Sequence, residues 1–334
     1  MRIPDSPPVI KPVPEGVERP LWSVMIPVYN CAYFLPELLN SVLSQAFDAD
    51  EMQIEVVDDC STDADIKKLV CQVGKGRVSY YRQPQNVGSL RNFETCLNRS
   101  RGQYIHLLHG DDKLLPGFYN TMTATFGKFP QAGAAFCKHQ HVDYKGTPRY
   151  NVVSEDRDAY ILPNWLETLA VRQQPQYVAM VVKRSVYEHL GAFYGVVYGE
   201  DWEMWMRIAK HYPVAFIPKI LAQYRQHEES ISGSSYATGK NIEDIAKVIN
   251  TINTYLPREK REYLKHAARK HYAYYAFAKR SGIWKRTHKH EPGFGFFRQV
   301  LKMHTDPKLV AKTVSFIANI YFYKVKKLLG ARKS

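Results

Sequence analysis

A chain of 334 residues that is 45% hydrophobic and 23% charged can build one large domain or two ordinary ones around a real apolar core. Its five cysteines are odd in number and lack any C-x-x-C spacing, which excludes a disulfide frame or a zinc site and suits reduced thiols in the cytoplasm. The net charge of +14 is lopsided: from Pro257 onward there are 20 Lys and Arg against 4 Asp and Glu, a net +16, leaving −2 for everything before. That asymmetry points to an anionic partner surface for the last quarter.

Met1–Pro20 is proline-rich without an apolar run, so it reads as neither signal peptide nor spanning helix but as an extended strap or disordered lead. Trp22–Val28 is a short buried strand, Tyr29-Asn30-Cys31-Ala32 a turn, and Phe34–Ala46 a helix with Pro36 tolerated in its first turn. Gln53–Val57 is a strand ending on Asp58-Asp59, and Ser61-Thr62-Asp63 are set to cap a helix reaching Val70. Val78–Tyr81 is a strand, Asn86-Val87-Gly88 a turn, Ser89–Asn98 a helix, and Tyr104–Leu108 a strand that stops on His109-Gly110-Asp111-Asp112. Alternating strands and helices imply βαβ units, a mainly parallel sheet, and loops gathered on one rim. Beyond, the pattern predicts a helix over 116–129, a strand over 132–137, a hairpin turn at 144–147, a helix over 163–172, a strand over 177–182, a helix over 202–211 and strands at 214–217 and 222–224. The texture after Tyr236 is helical and basic, and Leu309–Leu329 carries an apolar stripe flanked by lysines that is too interrupted to span a bilayer. Three regions follow: a lead over 1–20, an α/β domain over 21–235, and a basic helical region over 236–334.

Two strands of one half-chain therefore end in Asp-Asp. Adjacent carboxylates at the end of a buried strand are costly unless a cation meets them, and a divalent ion shared with a ligand's phosphates is the natural one. The carboxyl edge of a parallel sheet is where such ligands bind.

In these pieces the chain resembles the family-2 glycosyltransferases of the GT-A fold. The resemblance spans about Leu21 to Ser232. It rests on Val24–Asn30, Val56–Asp63, Asn86-Val87-Gly88 with Arg91-Asn92, Gly102–Asp112, and Gly199-Glu200-Asp201-Trp202 in the expected order. It implies a Rossmann-like mainly parallel sheet with a C-terminal helical extension, and an inverting, metal-dependent transfer from a nucleoside-diphosphate sugar, a UDP-sugar by preference. The acceptor would be a hydroxyl of a glycan or lipid-linked glycan in surface polysaccharide assembly. By the same resemblance Pro27, Tyr29, Asn30, Asp59, Arg91 and Asp111 would contact the nucleotide, Asp112 and His227 would ligate Mn²⁺ or Mg²⁺, and Asp201 would be the base. Each has a plainer reading: Tyr29 as a core cap, Arg91 as a solvated helix arginine, Asp201 as an N-cap, His227 as a surface or core histidine. Trp202 and Trp205 would stack on acceptor sugar or pack the core.

Departures narrow the reading. Cys60 stands where many relatives have glycine, and His109-Gly110 replaces the first aspartate of their Asp-x-Asp-type motif. No Gln-x-x-Arg-Trp and no spanning helix appear, so the resemblance implies a soluble or peripheral enzyme adding one sugar or a few. The basic tail fits an interfacial helix on an anionic membrane, a cover on its own domain, or an oligomer contact; no nucleic-acid motif is present. A sugar nucleotidylyltransferase shares the α/β plan, but its glycine-rich signature is absent. Retention of Asp59, Asp112 and Asp201 together argues against a non-catalytic scaffold.

Overall fold

The computed structural model describes residues 1–288 and 291–330. They form two compact units: Met1–Leu169 with Gln173–His227, and Ala170–Arg172 with Glu228 onward.

The first unit is built on one nine-stranded sheet. Its strands are β1 (Trp22–Val28), β2 (Met52–Asp58), β3 (Ser79–Arg82), β4 (Tyr104–Leu107), β5 (Lys113–Leu114), β6 (Ala134–Val142), β7 (Tyr160–Ile161), β8 (Met180–Lys183) and β9 (Val214–Arg225). The order is β3-β2-β1-β4-β8-β6-β9-β5, with β7 also on β9. β3, β2, β1 and β4 are parallel, as are β6 and β9, while β8, β5 and β7 run antiparallel to their neighbours. The mainly parallel α/β sheet expected from the βαβ pattern is thus present. Every residue of β1 is buried, as a central strand covered on both faces requires. Register aligns Val28 with Asp58 and Met25 with Leu107, so β1, β2 and β4 deliver their following loops to one rim.

Helices α1 (Leu35–Leu43), α2 (Ile66–Gly74), α3 (Ser89–Arg99), α4 (Phe118–Lys128), α5 (Trp165–Val171), α6 (Arg184–Leu190) and α7 (Glu200–His211) follow their apolar spacing. α1 turns Leu35, Leu38, Leu39 and Val42 inward, against the β1 and β2 core. Several expectations are corrected. Asp65, not Ser61–Asp63, caps α2, its carboxylate accepting from the Lys68 amide. Tyr177–Ala179 form a 3₁₀ turn before the strand begins at Met180. The two strands at 214–217 and 222–224 are one, β9, accommodated by register shifts opposite Cys137–His139.

Met1–Pro20 lies along this unit as an extended strap. The Pro4 and Pro8 carbonyls accept from the Gly195 and Ala192 amides (2.9 and 2.8 Å), the Lys11 carbonyl accepts from Arg184 Nη2 (2.7 Å), and Ile10 is buried.

The second unit is helical: α8 (Ile231–Thr238), α9 (Lys240–Asn253), α10 (Arg261–Thr287), α11 (Phe294–Met303) and α12 (Pro307–Gly330). Ile245, Val248, Ile249 and Ile252 of α9 and Leu264, Ala268, Ala273 and Ala276 of α10 are buried, and the two helices pack together. Asp306 holds the start of α12, accepting from the Leu309 amide and the Tyr274 hydroxyl, both at 2.8 Å.

Gly102 shows how tightly the rim-bearing strands are joined. A methyl group there would lie 2.4 Å from the Trp22 carbonyl carbon, a contact with backbone that no side-chain motion relieves. Gly102→Ala should therefore destabilise the first unit by about 1–3 kcal/mol, read as a lower urea midpoint at unchanged slope.

Candidate active site

The chain leaves β1 through Tyr29-Asn30-Cys31. Asn30 takes a left-handed φ of 49° and ties this turn to the next loop: its amide donates to Ser61 Oγ (3.0 Å) and its Oδ1 accepts from the Thr62 amide (2.8 Å). Asp63 accepts from the Ala32 amide (2.9 Å). Ser61 and Asp63 thus stitch two loops together. Pro27 is buried inside β1, whereas the Tyr29 ring stands exposed at the rim.

The two members of the first acidic pair differ. Asp58 is fully buried and accepts from the Ser61 amide, the Tyr80 hydroxyl and Arg82, which makes it a loop-bracing carboxylate. Asp59 continues the β1 ladder, its amide donating to the Val28 carbonyl (2.8 Å). Its carboxylate accepts from the Val87 and Gly88 amides (2.7 and 2.9 Å) and Asn86 Nδ2 (3.0 Å). Burial raises its pKa, and the two backbone donors oppose the rise. Arg91 donates to Glu94 (2.6 Å) and to the Met1 carbonyl (3.1 Å). It lines a cavity of about 750 Å³ with Arg2, Tyr81, Gln83 and Asn86, whose lining includes neither Asp111 nor Asp112.

The second acidic pair sits deeper. Gly110 allows it: a methyl group there would meet Cys31 Sγ at 2.7 Å, so the loop after β4 lies hard against the β1 turn. Asp112, 2% exposed, accepts the Arg225 amide through Oδ1 (2.9 Å). Asp111 Oδ2 meets His227 Nε2 at 2.9 Å. Burial and the neighbouring Asp111 push the Asp112 pKa well up. Burial opposes ionisation of Asp111 too, but the His227 hydrogen bond and the nearby imidazoles outweigh it and hold its pKa down. Arg225, buried at the end of β9, braces the whole loop. It donates to the carbonyls of Asp111, Asp143 and Tyr144, pairs with Glu37, and lies over the Phe34 ring (5.0 Å). Sequence reasoning assigned Arg225 and Glu37 no role; an arginine inside an apolar strand was the only visible signal.

Asp201 lies in the first turn of α7. Its Oδ2 accepts from Gln173 Nε2 (2.7 Å) and its Oδ1 from the Trp202 amide (2.7 Å). Burial raises its pKa to about 6 against those two donors. A chain of contacts joins it to the acidic loop. His109 stacks on Tyr177 with ring centroids 4.2 Å apart, and the Tyr177 hydroxyl donates to Glu200, the residue before Asp201 (3.2 Å). Burial lowers the His109 pKa to about 4, so it is a neutral ring there, and its Nε2 has no partner among the described residues. Tyr177 and Gln173 were not singled out from sequence, because neither belongs to a motif. Trp202 and Trp205 are buried and donate to the Leu169 and Pro175 carbonyls, which places them in the core.

The donor set suits a hard divalent cation in part. Two adjacent carboxyls, one pushed toward neutrality by burial and by its charged neighbour against the pull of Arg225, stand beside an imidazole. Among the described residues no three His, Cys, Asp or Glu side chains converge as a ready cage, so phosphate oxygens or water would have to complete the shell.

Comparison with known proteins agrees with this architecture. Residues 23–155 match the model of Glycosyl transferase family 2. An uncharacterized protein of Mycobacterium tuberculosis is 29% identical over 243 residues, 69% of this chain and 75% of that protein. An uncharacterized glycosyltransferase of Mycoplasma pneumoniae is 33% identical over 120 residues, 35% of this chain and 40% of that one. Among solved structures, S. aureus TarS 1–349 in complex with UDP-GlcNAc aligns with a TM-score of 0.64 at 15% identity, covering 92% of each chain. The mannosyltransferase PcManGT from Pyrobaculum calidifontis, in complex with GDP-Man and Mn²⁺, aligns at 0.53 and 16% identity over 92% of this chain and 89% of that one. These likenesses show a GT-A fold. Over residues 23–155 the chain thus carries a stretch that matches glycosyl transferase family 2, set in a GT-A fold.

Proposed function

We propose that the chain is an inverting glycosyltransferase that moves a sugar from a nucleoside diphosphate, UDP by preference, to a hydroxyl of a glycan or lipid-linked acceptor, one sugar at a time, on the cytoplasmic side. One observation carries this reading. The acidic loop after β4 and the carboxylate at the start of α7 are joined on one rim through His109, Tyr177 and Glu200.

In this reading Pro27 closes the first strand behind Tyr29 and Asn30, which receive the base and ribose beside Asp59, with Arg91 and Asp111 on the nucleotide side. Asp112 and His227 would hold Mn²⁺ or Mg²⁺. Held there, the ion would supply positive charge to the diphosphate leaving group. The acceptor oxygen forms its bond to the anomeric carbon as the bond from that carbon to the diphosphate oxygen breaks, which inverts the centre. The acceptor proton passes to Asp201, whose carboxylate Gln173 and the Trp202 amide hold in place. A UDP complex of TarS and a GDP-mannose–Mn²⁺ complex of PcManGT support a nucleotide-sugar donor and a metal by analogy of fold.

Asp201→Asn should abolish transfer and leave UDP binding with Mn²⁺ intact by calorimetry; near-normal turnover would remove Asp201 from this role. Because the base must be ionised and burial places its pKa at about 6, kcat/KM should fall about tenfold per pH unit below that value and level off above it. Asp112→Ala should weaken nucleotide binding in the presence of Mn²⁺ and leave the metal-free affinity little changed. An unchanged Mn²⁺-dependent affinity would contradict the metal assignment.

A further inference from the structure

α12 has two apolar faces. Leu309, Phe316 and Ile320 are buried in the second unit, where Phe316 meets the Trp284 ring at 5.4 Å and Tyr323 stacks on His288 at 4.0 Å. A second stripe follows the helical repeat at Val310, Val314, Ile317, Tyr321 and Leu328, and it faces water. Val314, Tyr321 and Leu328 are 61%, 66% and 68% exposed, against 3% for Phe316 on the inner face. Phe322 and Leu329 widen the exposed stripe.

The charge around this stripe is of one sign. α12 contains five lysines and no acidic residue. At about 100° per residue, Lys324 borders one edge of the stripe and Lys308 and Lys326 the other. Lys324 also pairs with Glu291 at 2.8 Å, so its charge is partly spent within the unit. Among the described residues no helix is long and apolar enough to cross a membrane. An exposed aromatic and aliphatic stripe bordered by Lys324 on one side and by Lys308 and Lys326 on the other matches a lipid–water boundary: acyl chains take the stripe and anionic headgroups take the ammonium groups.

We infer that the outer face of α12, from Val310 to Leu328, is a docking surface for an anionic lipid membrane, with the helix lying in the plane of the interface while its inner face stays packed. This concerns a different part of the chain from the donor site, and its test reads binding, not turnover.

The test is co-sedimentation of the full chain with vesicles of phosphatidylglycerol and phosphatidylcholine in equal parts, compared with phosphatidylcholine alone. Binding to the mixed vesicles is expected, much weaker uptake by the neutral ones, and weakening as salt rises from roughly 0.05 to 0.5 M. The triple variant Val314→Ser, Tyr321→Ser, Leu328→Ser changes only exposed positions, so its melting temperature should hold while its vesicle affinity falls by about tenfold or more. Lys308→Glu with Lys326→Glu should remove the preference for anionic vesicles. Several outcomes would overturn the inference: absence of binding, equal uptake by both vesicle types, or equal uptake of native chain and serine variant. So would a dimer in sedimentation velocity that the serine variant dissolves, which would make a second copy the occupant.

Discussion

Two carboxyl groups on consecutive residues, sunk at the end of a buried strand, are the constraint around which the first unit is arranged. Placing Asp111 and Asp112 there costs desolvation that neither can recover from the other. The chain answers from 113 residues away: the end of β9 supplies the Arg225 amide to Asp112 and, two residues on, His227 to Asp111. The Arg225 guanidinium does not neutralise either carboxylate through a direct side-chain bond. It holds the loop by its carbonyls and spends its charge on Glu37. The site is therefore mechanically clamped, yet burial and the Asp111 charge still hold Asp112 well above the usual carboxylate range against the pull of Arg225.

The carboxyls are pushed in opposite directions by neighbours a few ångströms away. Asp111, hydrogen-bonded to an imidazole, favours its anion; Asp112, buried beside that anion, does not. Asp59 shows a third solution, a carboxylate satisfied by backbone amides and the Asn86 side chain, which makes it as much the keystone of the 86–88 loop as a group that can accept from a base. Similar Asp-Asp endings on β2 and β4 thus serve different ends: Asp58 braces, Asp59 locks one loop to another, and the later pair splits into an anion and a carboxyl pushed toward neutrality.

Much of this was legible in the sequence because it depends on local pattern. The buried run of β1, the amphipathic spacing of α1 and the order of strands and helices specify the sheet, and parallel strands must send their loops to one rim. What was not legible depends on partners distant in the chain. β9 looked like two strands because Pro218 and Lys219 interrupt its apolar pattern, and only pairing with β6 shows it is continuous. The proline-rich lead has no periodicity to read; its order comes from carbonyls that meet the amides of Ala192 and Gly195. Gln173 and Tyr177 carry no motif, yet they are the residues that hold Asp201 and join α7 to the acidic loop. The stripe on α12 was visible as one apolar pattern, and three dimensions were needed to split it into a packed face and a wet one.

Unlike Asp58, which also bonds Arg82, Asp201 is held, as Asp59 is, by amide donors. It takes one hydrogen bond from a side-chain amide and one from a helix-terminal backbone amide, and among the described residues no cationic side chain bonds to its carboxylate. Such a setting lets burial lift the pKa to about 6 without abolishing ionisation at neutral pH. A base bonded to arginine would be too weak to take a proton, and one with no donors at all would be protonated already. The amide pair leaves the carboxylate ionised at neutral pH, and the His109–Tyr177–Glu200 contacts tie its helix to the loop after β4. Under the proposed transfer, the basicity of Asp201 and its tie to the acidic loop would share one origin: the segment 173–177, where Gln173 bonds Asp201 and Tyr177 stacks on His109.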